Sequence, residues 1–112
     1  MIGISTHVLD TAKGRPAQGI AVTLERRSGA GLFVFAGEGV TDEHGRIPQL
    51  LRAGTALEAG IYRLTFYAEK YFESQDHFYS EVTVSFLVRD PATHYHVPLL
   101  LSPYGYTTYR GS

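Results

Sequence analysis

Apolar and polar residues alternate with a period of two through most of this chain, broken at short intervals by clusters of Gly, Pro and Asp. No other feature constrains the fold as much. Side chains of an extended strand point alternately to its two faces, so the pattern suits short strands buried on one side, as in a β-sandwich or barrel. Ile2 to Leu9 reads as a first strand, with Ile2, Ile4, Thr6 and Val8 on one face and Gly3, Ser5 and His7 on the other. Residues 10–16 read as a turn, with Gly14 for a positive φ and Pro16 barring continuation. Further strands are expected at 20–25, 32–36, 61–67, 82–88, 94–101 and 104–110, with a short one after the Asp42–Gly45 turn. Gly29-Ala30-Gly31 and Gly37-Glu38-Gly39 open no helix and read as turns. Residues 68–74 lose the alternation and carry good helix formers, which predicts one helix of about two turns.

The composition narrows the function classes. At 112 residues the chain is expected to form one domain spanning 1–112, with no second lobe to close a cleft. It has no cysteine, which excludes a disulfide framework, a thiolate metal site and a thiol nucleophile. Ten Lys and Arg stand against eleven Asp and Glu, for a net charge of −1, which argues against a nucleic-acid binder working through a basic face. No apolar run approaches the roughly 18 residues of a membrane span, and Met1-Ile2-Gly3-Ile4-Ser5 lacks the character of a secretory signal, so a cytoplasmic location is expected.

Strand parity then sorts the histidines. If Tyr95, Val97, Leu99 and Leu101 face the core, His94, His96, Pro98 and Leu100 face away from it, as does His7 opposite Ile4 and Val8. Core packing therefore explains neither His7 nor His96. Each has a plainer reading as a surface histidine, as do His44 and His77 in turn-like segments, and Arg46 after its glycine turn reads by default as a solvated charge. The spacing His94-x-His96 is one that metal sites use, but no third ligand of fixed register accompanies it. Ser5 lies two residues before His7 on the same face, yet no oxyanion hole or orienting acid is specified for a Ser-His pair. There is no Gly-x-Ser-x-Gly elbow, phosphate loop or dinucleotide fingerprint.

Three segments taken together are more specific: Thr6-His7-Val8-Leu9-Asp10-Thr11-Ala12-Lys13-Gly14-Arg15-Pro16-Ala17, Thr41-Asp42-Glu43-His44-Gly45-Arg46, and His94-Tyr95-His96-Val97-Pro98-Leu99-Leu100-Leu101-Ser102-Pro103 running into the terminal Tyr109-Arg110-Gly111-Ser112. Over essentially its whole length the chain resembles the transthyretin-related 5-hydroxyisourate hydrolases, whose signature is that Tyr-Arg-Gly-Ser end. Thr107 departs from the serine expected there but keeps a hydroxyl. The resemblance implies a transthyretin-like two-sheet β-sandwich, all-β but for the one short helix, assembled as a homotetramer with active sites at subunit interfaces. It implies hydrolysis of 5-hydroxyisourate to 2-oxo-4-hydroxy-4-carboxy-5-ureidoimidazoline in urate degradation, without a metal or other cofactor. The family's active-site positions fall on His7, Arg46, His96 and the Tyr109–Ser112 tail. Transthyretin itself shares the fold and binds a hormone, but carries lysine, glutamate, threonine and threonine at the positions of His7, Arg46, His96 and Tyr109.

On this reading His7 and His96 act as a pair on water and the leaving nitrogen, in an order left open, since an imidazole titrating near 6.5 suits proton transfer at neutral pH. Arg46 holds the substrate and the developing oxyanion with its planar fork of donors. Ser112 contributes its hydroxyl or carboxylate, Tyr109 a stacking wall and a hydroxyl, and Thr107 and Leu100 further substrate contacts. The outward faces of His7, His96 and Tyr109 lie beside apolar Leu9, Pro98 and Leu100, a patch that suits a second subunit. The alternatives are a small-aromatic-ligand carrier of the transthyretin kind and a metal site at His7, His94 and His96.

Overall fold

The computed structural model describes residues 2–112. Among them nine strands form two sheets: β1 (Gly3–Asp10), β2 (Arg15–Pro16), β3 (Ala21–Arg27), β4 (Phe33–Val40), β5 (Arg46–Ile47), β6 (Gly60–Tyr67), β7 (Glu81–Val88), β8 (His94–Ser102) and β9 (Gly105–Thr108). The first sheet runs β2-β1-β8-β9, with β5 also on β1, and the second runs β4-β3-β6-β7. Only β1 and β8 pair in parallel. A parallel pair needs a long crossover, and here the intervening chain builds the entire second sheet.

The core lies between the sheets where parity puts it. Ile4 and Val8 of β1, Leu99 and Leu101 of β8, Val22 and Leu24 of β3, and Leu64 and Phe66 of β6 are fully enclosed. Burying each of these side chains contributes about 1.5–3 kcal/mol, so the alternation is enforced residue by residue. Tyr95 is buried too, and its hydroxyl is satisfied at the sandwich end by Asp90, accepting from the amide and donating to the carbonyl, both at 3.0 Å. Ile2 precedes β1 and is 53% exposed rather than part of the core face.

Three local expectations are corrected. Residues 68–74 form no helix. Phe72 donates to the Ala68 carbonyl (3.1 Å), but the following bonds tighten to i−3, from Glu73 to Lys70 and from Gln75 to Phe72. One such turn fixes several dihedrals for a single bond, and here Glu69 N is drawn instead to the Ser80 carbonyl, so no helix propagates. The last strand is shorter than expected and ends at Thr108.

The third correction matters for the site. Gly37-Glu38-Gly39 is not a turn but part of β4, next to a β-bulge where the register shifts between Leu24 and Glu25. A Cβ on Gly37 would stand 1.7 Å from the Leu50 carbonyl oxygen, and one on Gly39 2.8 Å from Ile47 Cγ2. The glycines thus let the 47–51 segment, which continues from β5 on the edge of β1, pack directly against β4 of the second sheet.

Candidate active site

The parallel register of β1 and β8 places Ser5 beside His96 and His7 beside Pro98, so the outward side chains of both strands share one face. From strand spacing, the Cα atoms of His7 and His96 lie roughly 8 Å apart. Arg46 is delivered from the other side. In the β1–β5 pairing it is the direct partner of His7. Its position is set by a turn in which the Asp42 carboxylate accepts from the amides of His44 and Arg46, both at 2.9 Å. The Arg46 amide is the main reason the Asp42 carboxyl sits below its ordinary range. Gly45 closes the turn at φ +74°, its carbonyl accepting from Val8 N at 2.7 Å. A Cβ there would stand 2.4 Å from the Val8 carbonyl oxygen, so the turn can seat against β1 only as glycine.

The C-terminal tail provides the fourth group. After β9 the chain stays on β8, with Gly111 N donating to the His96 carbonyl at 2.8 Å. A Cβ on Gly111 would meet His96 Cδ2 at 2.5 Å and Pro98 Cγ at 3.0 Å. The tail therefore lies flat against the histidine. Ser112, with Ser5, Thr6, Arg46, Pro48, His94 and His96, lines an open depression of about 340 Å³. His7 stands next to this depression, between Arg46 and the β8 strand.

Beneath these residues is a contact that the sequence did not suggest. The Ser5 hydroxyl lies 2.8 Å from His94 Nε2 and 2.7 Å from His96 Nδ1, joining the two rings. Ser5 is therefore no partner of His7. It serves the two histidines of β8, and only the pairing of strands some ninety positions apart reveals this. Burial is the main cause holding both imidazoles below their ordinary value of 6.5, and for His96 the charges of His7, His94 and Arg46 add to it. At neutral pH His96 is thus a neutral ring beside a permanent cation.

Tyr109, Thr107 and Leu100 are not gathered into the same depression. Leu100 and Thr107 face each other across β8 and β9 toward the other end of the outer face. Tyr109 lies past the end of β9, where alternation no longer fixes its side. It is 55% exposed and, with Arg110 and His96, borders an apolar groove of about 310 Å³ against Val84, Phe86 and Leu87 of β7. The Arg110 guanidinium stacks over the Tyr95 ring at 4.6 Å. Among the described residues no three His, Cys, Asp or Glu side chains converge as metal ligands would. The Ser5 hydroxyl occupies the space between His94 and His96.

Comparison with known proteins bears on this arrangement. The sequence model of the HIUase/transthyretin family matches residues 4–111. The 5-hydroxyisourate hydrolase of Salmonella typhimurium is 45% identical, over 97% of this chain and 80% of that protein. Among solved structures, the 5-hydroxyisourate hydrolase of Klebsiella pneumoniae superposes with a TM-score of 0.81 at 33% identity, covering 97% of this chain and 98% of that one. Transthyretin from Sparus aurata superposes with a TM-score of 0.89 at 30% identity, covering 99% and 97%.

Proposed function

This chain belongs to the HIUase/transthyretin family, and we propose on that footing that its single domain, residues 1–112, hydrolyses 5-hydroxyisourate to 2-oxo-4-hydroxy-4-carboxy-5-ureidoimidazoline. The observation that carries the reading is the meeting of His7, Arg46 and His96 on one sheet face, with Ser112 brought to it by the tail. The likeness to a transthyretin speaks to the fold. These side chains carry the reaction.

Opening the six-membered ring at its amide adds one water. The water loses a proton to one histidine as its oxygen bonds to the carbonyl carbon. The carbonyl π electrons move to oxygen, where the Arg46 guanidinium stabilises them. Removing one such donor typically costs a reaction about 3–4 kcal/mol. When the tetrahedral centre collapses, the C–N bond breaks and the nitrogen takes the proton that the first histidine accepted from water, while the other histidine orients the water or the leaving nitrogen through a hydrogen bond. His7 and His96 can fill these two roles because each lies on the face beside Arg46. Ser112, at the rim, orients the substrate or a histidine.

The depression is open, and a flat sheet face encloses a small planar substrate poorly. Half-buried Leu9 and Leu100 flank buried Pro98 on the same face. We take this face as the seat of a second copy, giving a homotetramer whose active sites lie between subunits and whose substrate contacts include Tyr109, Thr107 and Leu100. The test is to generate 5-hydroxyisourate from urate and follow its ultraviolet decay. Decay accelerated in proportion to protein is expected. Decay at the spontaneous rate, with retained ligand binding, would leave a carrier rather than an enzyme.

A further inference from the structure

We infer that Ser5 and His94 are positioning residues that hold His96 as the tautomer protonated at Nε2, so that His96 meets the substrate as an N–H donor and the base role falls to His7. The inference rests on the hydrolase reading for its kinetic consequence, but its structural half stands on the hydrogen bonds alone.

The Ser5 hydroxyl has one proton to give and lies between two ring nitrogens, His94 Nε2 at 2.8 Å and His96 Nδ1 at 2.7 Å. Two neutral arrangements satisfy both contacts. In the first, His94 Nε2–H donates to Ser5 and Ser5 donates to His96 Nδ1, which leaves the His96 proton on Nε2. In the second every proton is reversed: His96 Nδ1–H donates to Ser5, Ser5 donates to His94 Nε2, and the His94 proton sits on Nδ1.

The surroundings of His94 decide between them. Its Nδ1 is one of two side-chain nitrogen or oxygen atoms, among the described residues, that are buried with no partner. The second arrangement would put a hydrogen-bond donor on this atom with nothing to receive it, and orphaned buried N–H groups are rare. The first leaves a bare ring nitrogen there, and it also gives both rings the Nε2–H form that neutral histidine intrinsically prefers. Charging His94 would place a proton on the same unpartnered atom, so the ring stays neutral, in line with the direction in which burial moves it. His96 Nε2 makes no bond within the chain and is not among the buried unpartnered atoms, so it is open to a ligand.

This accounts for Ser5, which is 8% exposed on a face that otherwise carries the reactive groups. It also separates two histidines that sequence alone leaves interchangeable. The charged and titratable groups acting on His96 are His7, His94 and Arg46. None of them contacts Nδ1, where the serine sits.

The test reads the tautomer directly, by the ring ¹⁵N and ¹³C shifts of His96 in the unliganded full-length protein at pH 8, with kinetics in parallel. Wild type is expected to show the Nε2–H form. Ser5→Ala is expected to show a mixture, with kcat on 5-hydroxyisourate reduced about tenfold or more and KM changed less than about twofold. Ser5→Thr, which keeps the hydroxyl, and His94→Gln, which keeps a donor to it, should restore the tautomer and most of kcat. A wild-type His96 protonated at Nδ1 overturns the inference even if Ser5→Ala fails to fold. So does Ser5→Ala with unchanged kcat. Wild type that shows the Nε2–H form but does not turn over substrate defeats the hydrolase reading and leaves the tautomer assignment standing.

Discussion

The outer faces of the two sheets obey the same alternation and do different things with it. On the second sheet, Glu25 and Arg63 lie opposite each other, joined by bonds of 2.9 and 2.8 Å from Nε and Nη2 to one carboxylate oxygen. Arg63 also lies over the Phe33 ring at 3.8 Å. This is a salt bridge that neutralises itself, of a kind that typically contributes 1 kcal/mol or less. On the first sheet, the outward positions hold Ser5, His7, His94 and His96 with Arg46 at the edge, and among the described residues no carboxylate side chain pairs with them. Burial there lowers the proton affinity of two imidazoles instead of being offset by opposite charge. A polar face is thus not yet a site. What distinguishes the first sheet is two partly desolvated imidazoles held below their ordinary value, left beside the Arg46 guanidinium.

Breaking the first face should cost activity and leave the fold alone. Arg46→Ala removes the oxyanion donor and is expected to lower kcat/KM about 10²–10³-fold. Its side chain is exposed, so the melting temperature should barely move. A smaller but more revealing loss is expected from Gly111→Ala. The added methyl meets His96 Cδ2 at 2.5 Å and must push tail or ring aside. Misplacement on that scale predicts a drop in kcat/KM of about 10- to 100-fold, with the melting temperature near wild type. A steady-state assay alongside a melting curve checks both variants.

The same contrast should appear in acid. His94 and His96 bind protons less readily folded than unfolded. Their contribution to stability is therefore complete above the unfolded value of about 6.5 and declines as pH falls toward the lower folded values. Melting temperatures between pH 8 and 5.5 should fall below that point, and fall less steeply in His94→Gln. The smallest effect belongs to the second face. Glu25→Gln should change stability by about 1 kcal/mol or less and leave kcat/KM within about twofold.

How far the sequence foretold this can be argued from particular residues. Alternation placed Ile4, Val8, Val97, Leu99 and Leu101 in the core and turned His7 and His96 outward, because period-two burial is a local property. The partnership of Ser5 with His94 and His96 was illegible. It depends on a parallel register between strands 89 and 91 residues apart, and no local pattern encodes it. The Gly37-Glu38-Gly39 stretch looked like a turn for the same reason. Its glycines answer to Leu50 and Ile47, which reach them only after the chain has reversed. The helix expected at 68–74 failed because propensity gave way to a single turn anchored by buried Ala68 and Phe72. Arg46 and Ser112 could be named from the family resemblance, but the Asp42 turn and the Gly111 contact that deliver them appear only in the fold.

The central claim is that the outer face of the first sheet is catalytic and that of the second is not. It is tested most directly by measuring kcat/KM for 5-hydroxyisourate with His96→Asn and wild type at equal folded concentration. The account predicts a loss of at least about 10²-fold with an unchanged oligomeric state and melting temperature. A folded His96→Asn protein that turns over substrate at the wild-type rate would contradict it.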